Sequence, residues 1–322
     1  MIAAPSAGSQ REVERAPTTP RARRDVVRVR LIFPGALGDL LLLAPAALAL
    51  ASGGRDVEVS VQRALADVAG ALLPLGPPID GAAMSTLFGA RLAPALDAWL
   101  RGADRVHAWL GGAGRVAIAR HARALGVGAW HAGGVVRDDG PRHASAEYAA
   151  ALGIDGPLAA VRLPGRRARG EDGGDAERWW GVSPRRRLLV HPGAGAVAKR
   201  WSVDGFRRVA DGWRAAGGET VVLLGPAEAD LAQFWRAAGH RVAADLGLGA
   251  AARLVASAPR FLGNDSGISH LAGALDRCGV VLFGPTRAER WRPLGGRLAV
   301  VRFAATGERA LAGDVVALLG AR

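Results

Sequence analysis

Gly263-Asn264-Asp265-Ser266-Gly267-Ile268-Ser269-His270-Leu271-Ala272 is the stretch on which the fold turns. It follows a short apolar run, Arg260-Phe261-Leu262, and opens a segment rich in Ala and Leu. Strand, small polar turn with glycine, then helix is the order found at the mouth of a parallel sheet, where the first helical turn leaves backbone N–H groups unpaired. Such a helix start attracts anions, phosphate above all. Its dipole contributes about 0.3–1 kcal/mol, up to roughly 2 when partly buried, which is too little to hold a diphosphate alone. A cation is needed beside it.

Lys199 is the candidate, because it is the only lysine in the chain; all other basic side chains apart from histidine are arginine. A compact ammonium on a flexible stem does what a flat guanidinium cannot. The alternative is a chance survivor on a solvated loop. The neighbours favour function: His191-Pro192-Gly193-Ala194-Gly195 leads to Lys199-Arg200-Trp201, straight after the apolar run Leu188-Leu189-Val190.

The 322 residues exceed one ordinary domain, and half of them are hydrophobic, as suits a globular α/β protein. A net charge of +13 favours anionic partners without choosing among nucleotides, phosphorylated sugars, acidic lipids and nucleic acid. Arginine in place of lysine almost throughout also resembles a base-composition bias. The single cysteine, Cys278, excludes intrachain disulfides and cysteine-based zinc sites, and its place at the head of an apolar run suggests a buried small residue. This fits a reducing compartment. Leu40 to Ala51 is apolar and preceded by basic residues, yet the leader is too long for a signal peptide and Asp39 and Pro45 interrupt the run. It is also too short to span a bilayer. The expectation is a buried helix in a cytoplasmic protein.

Residues 1–24 mix Ala, Pro, Ser, Thr and Arg without apolar periodicity and are expected to be disordered. Strands are then expected at Val26–Phe33, Val57–Val61 and Arg105–Leu110, with helices from Leu40 and over Leu87–Arg101, Arg115–Leu125 and His143–Leu152. This βαβ series is assigned to a first domain, 25–165. Pro164 to Asp175, dense in Gly, Arg and acids, reads as a linker, and the linker segment is assigned to 166–186. A second series fills 187–306, with strands at Leu188–Val190, Thr220–Leu224, Arg241–Ala244, Arg260–Leu262 and Val280–Phe283. Its helices are expected at Val203–Ala216, Glu228–Ala238, Ala250–Ala258 and Gly267–Leu275, and a last helix occupies 307–322. Two doubly wound halves imply a cleft with ligands at the carboxyl ends of strands. Gly38-Asp39, Lys199 and Asp265-Ser266 all fall there.

These motifs, in this order, resemble glycosyltransferase family nine, the ADP-heptose:lipopolysaccharide heptosyltransferases and their relatives, over about residues 26–320. The marks are Gly38-Asp39, His191-Pro192-Gly193 with Lys199 and Trp201, Gly225 to Glu228, Asn264 to Gly267 with Ser269-His270, and Phe283-Gly284-Pro285-Thr286 followed by Trp291-Arg292-Pro293. The resemblance implies a GT-B fold, two Rossmann-like domains facing across a cleft, with the donor held mainly by the second. It also implies inverting transfer without a metal ion or other cofactor, from a nucleoside-diphosphate donor, ADP-heptose being the family's default, to a glycan or lipid-linked acceptor.

Under that resemblance Asp39 is the general base beside Gly38 on the acceptor side, although an aspartate there also serves as a simple helix cap. Lys199, the Ser266 hydroxyl and the N–H groups near Gly267 hold the diphosphate and stabilise its departure. Glu228 matches the ribose-holding position in relatives; it is otherwise an ordinary first-turn acid. Gly193 and Thr286 join the donor side. Asp265 holds a sugar or pins the turn, and His270 is placed with the donor site but more often packs or orients. His191 and Trp179-Trp180 are structural. A monomer touching the inner membrane surface, without nucleic acid, is the expected setting.

Three rivals remain. Gly193-x-Gly195-x-x-Ala198 mimics a dinucleotide fingerprint, but helix onset is delayed to Ser202-Val203 and no acid ends the next strand, which disfavours a nicotinamide enzyme. A GT-B nucleotide-sugar epimerase would need no acceptor. A non-catalytic binder of anionic polymers rests on charge alone, without a recognisable module.

Overall fold

The computed structural model describes residues 26–133, 136, 139–156, 158–163, 174–181, 184–303 and 308–320. The expected disordered leader, residues 164–173 of the Gly- and Arg-rich stretch, and both ends of the segment 304–322 lie outside the described residues. β1 (Arg28–Phe33), β2 (Asp56–Val61), β3 (Arg105–Trp109) and β4 (Ala129–Gly133) form one sheet in the order β2-β1-β3-β4. β5 (Arg187–His191), β6 (Glu219–Leu223), β7 (Arg241–Ala243), β8 (Arg260–Asn264), β9 (Cys278–Phe283) and β10 (Arg297–Arg302) form a second, in the order β10-β9-β8-β5-β6-β7. Every pairing within both sheets is parallel.

The apolar runs explain this. Leu188-Leu189-Val190 and Val280 to Phe283 have no exposed surface, as strands covered on both faces require. Strand order reverses between β1 and β3 in the first sheet and between β5 and β8 in the second. Crossovers leave such neighbours toward opposite faces, opening a crevice at their carboxyl ends.

The expected buried helix runs from Leu37 to Ser52. It is buried nearly all round because it serves two cores. Leu40, Leu43, Ala47 and Leu50 pack with Leu31 and Phe33 of the first domain, whereas Leu41 belongs to the cluster of Phe261, Leu271 and Phe283 in the second. Its partner across the boundary is the helix Gly267–Ala274. A Cβ at Gly267 would lie 3.0 Å from the Leu37 Cβ and 3.3 Å from the Gly38 nitrogen, so glycine permits two helix starts to meet.

Several expectations need correction. The helix expected over Leu87–Arg101 is two, Gly81–Phe88 and Pro94–Arg101, with Pro94 at the first turn of the second. The helix expected from Glu228 is a 3-10 turn, Pro226–Leu231, kinked at Glu228, followed by Ala232–Ala237. β4 and β10 were not anticipated. Cys278 is buried, and Trp180 donates its indole N–H to Ser257 Oγ at 2.8 Å, both structural as expected. Among the described residues no helix is long and apolar enough to cross a membrane.

Gly279 sits opposite Phe261 in the β8–β9 ladder, and a Cβ there would run into the Phe261 carbonyl. Gly279→Ala is expected to lower stability by roughly 2–3 kcal/mol, as overpacking between fixed backbones does, read by urea unfolding.

Candidate active site

The loops leaving β1, β5 and β8 converge. Asn264 at the end of β8 is fully buried and ties two of them together: its Oδ1 accepts the Trp201 N–H at 3.1 Å and its Nδ2 donates to the Pro192 carbonyl at 2.7 Å. Ser266 follows in an extended conformation as the N-cap of the Gly267 helix, its hydroxyl oxygen accepting the Ser269 N–H. Ser269 Oγ donates back to the Asn264 carbonyl at 2.5 Å. The turn is thereby rigid, and the helix start faces the cleft with its partial positive charge.

Lys199 ends a short 3-10 turn, Val197–Lys199, in the loop after β5. Its ammonium lies 2.9 Å from Asp265 Oδ2, and Thr286 Oγ1 donates to the same oxygen at 2.6 Å. Asp265 is buried, so this pair holds the ammonium beside the helix start before any ligand arrives. Helix onset after the loop is at Val203, with Ser202 as cap, as the argument against a dinucleotide fingerprint required.

Glu228 is not an ordinary first-turn acid. It is buried in the kink of its 3-10 turn and accepts an ion pair from Arg200 Nη2 at 2.9 Å. Arg200 also donates to the Ala194 carbonyl. A Cβ on Gly193 would lie 2.6 Å from the Glu228 carboxyl carbon, so the glycine makes room for that acid. His191 is buried with Nδ1 2.9 Å from the Leu223 carbonyl oxygen, a structural role.

Asp39 is the third residue of the Leu37 helix, and the Tyr148 hydroxyl donates to its Oδ1 at 2.9 Å. Burial pushes the Asp39 carboxyl above the usual carboxylate range, while the Tyr148 hydrogen bond and the Lys199 charge pull it part of the way back. Burial and the neighbouring Asp39 push the Tyr148 phenol up, so it remains a donor. His270 packs under the helix start, where a Cβ on Gly38 would lie 2.9 Å from its ring. Burial pushes this imidazole down to about 4, which keeps it neutral at physiological pH.

A cavity of about 590 Å³ is walled by Gly38, Asp39, Lys199, Asp265, Ser266 and Gly267, with His270 and Trp291 also on its surface. Of the residues picked from sequence, Gly193, Glu228 and Thr286 are not part of that wall. Thr286 reaches it through Asp265, and Gly193 and Glu228 through Arg200, the neighbour of Lys199. Tyr148 and Arg200 are not among the residues picked from sequence; Arg200 carries a signal in its place beside Lys199, and Tyr148 one in being the chain's single tyrosine. Among the described residues no group of three or more His, Cys, Asp or Glu is placed to hold a metal ion.

The family model described as glycosyltransferase family 9 (heptosyltransferase) matches residues 149–311. Lipopolysaccharide heptosyltransferase 3 of Escherichia coli (strain K12) is 32% identical over 113 residues, a stretch that spans 33% of this chain and 33% of that relative's length. ADP-heptose LPS heptosyltransferase II of E. coli superposes with a TM-score of 0.72 at 18% identity, covering 92% of this chain and 99% of the other. A family 9 glycosyl transferase from Veillonella parvula DSM 2008 gives 0.70 at 18% identity, with 91% of each chain covered. E. coli heptosyltransferase WaaC, solved with ADP, gives 0.66 at 18% identity over 92% of this chain and 99% of that one. Their shared architecture is the GT-B arrangement of two parallel-sheet α/β domains.

Proposed function

The chain belongs to glycosyltransferase family 9, and from that premise we propose that it moves a heptose from an ADP-linked donor to a hydroxyl of a glycan or lipid-linked acceptor, with inversion and without a metal ion. One observation carries this: a half-buried carboxylate, Asp39, and an ammonium beside a helix start, Lys199 with Ser266-Gly267, wall the same cavity.

In the proposed reaction the acceptor hydroxyl gives its proton to Asp39 as its oxygen attacks the anomeric carbon. The bond from that carbon to the diphosphate breaks on the opposite side, which inverts the configuration. Negative charge gathers on the departing phosphate, where Lys199 and the N–H groups of the Gly267 helix neutralise it. These groups offer the positive charge that a divalent ion supplies elsewhere, so activity should survive EDTA. Asp265 and Thr286 steer the ammonium; Glu228, steadied by Arg200, takes the ribose hydroxyls. The setting we propose is a cytoplasmic monomer working at the inner face of the membrane.

The test is ADP release from ADP-heptose, measured with and without a heptose-accepting core glycan. Release that needs the glycan supports transfer; conversion of the donor alone would favour an epimerase. A thermal-shift comparison should rank ADP above UDP, GDP and dTDP. Because the base must be ionised and its proton affinity is raised, kcat/KM should fall on acidification with a midpoint above the ordinary aspartate value. A flat profile down to that value would count against Asp39. Gly193→Ala crowds Glu228 and is expected to weaken ADP binding by about tenfold in a calorimetric titration, the cost of one displaced hydrogen-bonded charge.

A further inference from the structure

Asp39 is held by a residue that the second domain itself fixes in place. Arg290, 1% exposed, lies in the short helix Ala288–Trp291 that follows β9. Its guanidinium crosses to the first domain, where Nη1 donates to Glu147 Oε1 at 2.6 Å and to the Arg142 carbonyl at 2.7 Å, and Nη2 donates to Glu147 Oε2 at 3.0 Å. Beside it, Arg287 donates to the Gly140 carbonyl at 3.1 Å, and His143 Nε2 lies 3.0 Å from the Arg292 carbonyl oxygen. All these contacts grip the entry to helix Ala144–Ala151. A Cβ on Gly140 would strike both Arg290 and Glu147, so the segment is closely fitted.

The residue after Glu147 is Tyr148. Its ring is buried edge-on against Phe33 at 6.0 Å and Trp109 at 5.9 Å, and its hydroxyl meets Asp39. A two-pronged ion pair with a buried arginine is a poor way to gain stability, since well-packed apolar residues often do as well or better. It is a good way to fix an orientation, because the planar fork sets both partners.

We propose that Arg290 and Glu147 form an interdomain strap that sets the Tyr148 hydroxyl on Asp39, so that the donor domain orients the base. Arg290, Glu147 and Tyr148 are thus positioning residues; the inference rests on Asp39 being the base. The groups facing Asp39 are Tyr148 from the Ala144 helix, Lys199 from the loop after β5, Asp265 and His270 from the β8 side, and Asp139, which lines the same cavity. Of these side chains Tyr148 donates to it directly, at 2.9 Å, beside the aspartate's own backbone N–H. Removing that donor leaves a carboxylate that takes up its proton more readily.

The test is a titration of Asp39 in the full chain carrying ¹³C-carboxyl aspartate, its signal assigned by absence in Asp39→Asn. In Tyr148→Phe the midpoint should rise by about half a pH unit or more, as loss of one hydrogen bond to the charged form demands. An unmoved midpoint would overturn the role of Tyr148. Glu147→Gln should shift it in the same direction. Direct electrostatics predicts the reverse, since that change removes a nearby negative charge and frees the positive charge of Arg290. A fall or no change in Glu147→Gln would therefore sink the strap. Arg290→Lys keeps the charge but not the fork and serves as the second variant; it too must raise the midpoint. In turnover, Tyr148→Phe should lower kcat about fivefold to tenfold with donor KM unchanged, the pattern of a group acting on the transition state alone. Loss confined to donor KM would count against it. The titration needs no substrate, so a chain that transfers no sugar would refute the proposed function and leave the strap to be judged on its own.

Discussion

Asp39→Asn is expected to lower transfer by about a thousandfold, within the range for loss of a general base, and to leave ADP binding unchanged. The amide keeps the shape and accepts the Tyr148 hydrogen bond as the carboxylate did, but it cannot take a proton from an attacking hydroxyl. Asp39 lies at the start of the Leu37 helix, on the first domain's side of the cavity, whereas the ammonium and the capped helix start come from the second. Nucleotide binding should therefore not register the change. Calorimetry with ADP and a progress curve for ADP release read the two quantities separately. Equal loss of both would mean that Asp39 shapes the pocket rather than reacts.

Lys199→Ala is expected to weaken ADP binding by about 10- to 100-fold and to lower kcat/KM by roughly 10²–10³, as removal of one charge-stabilising group does. Two unit charges about 4 Å apart attract by about 4 kcal/mol at an effective dielectric near 20. Asp265, 2.9 Å from the ammonium, already uses part of that attraction, which brings the expected loss down. The substitution also leaves the buried Asp265 carboxylate without its ammonium, hydrogen-bonded by the Thr286 hydroxyl, so the melting temperature should drop. Since Lys199 helps to keep Asp39 ionised, the acid limb of the rate profile should move to higher pH in this variant. Lys199→Arg should restore part of the binding but less of the rate, because a planar fork does not reproduce a point charge. An unchanged affinity for ADP would remove Lys199 from the site.

Much of this arrangement was written locally. The β1, β5 and β8 loops each show an apolar run, a small polar turn and a helix start, so the sequence alone places Asp39, Lys199 and Ser266-Gly267 at strand ends. β4 was missed because Ala129-Trp130-His131-Ala132-Gly133 is an exposed edge strand with no β-branched residue and no alternation. β10 had Val300-Val301 as a signal, but its half-buried pattern lies between two arginines. The break before Pro94 was readable from that proline, and the apolar pattern of Leu87 to Leu100 concealed it. The local setting of Glu228 is not legible in the sequence, since Arg200 holds it in a kink that no helical period signals. The partners that tune the base were out of reach. Tyr148 is 109 residues from Asp39 and Arg290 is 143 from Glu147, and such pairings exist only after both sheets are folded and docked.

A crystal structure of the chain with ADP bound tests the central claim most directly. The β-phosphate should lie within hydrogen-bonding reach of the Lys199 ammonium and the Gly267 N–H, with Asp39 facing it from the opposite wall. A diphosphate seated elsewhere, or Asp39 turned out of the cavity that holds it, would contradict the account.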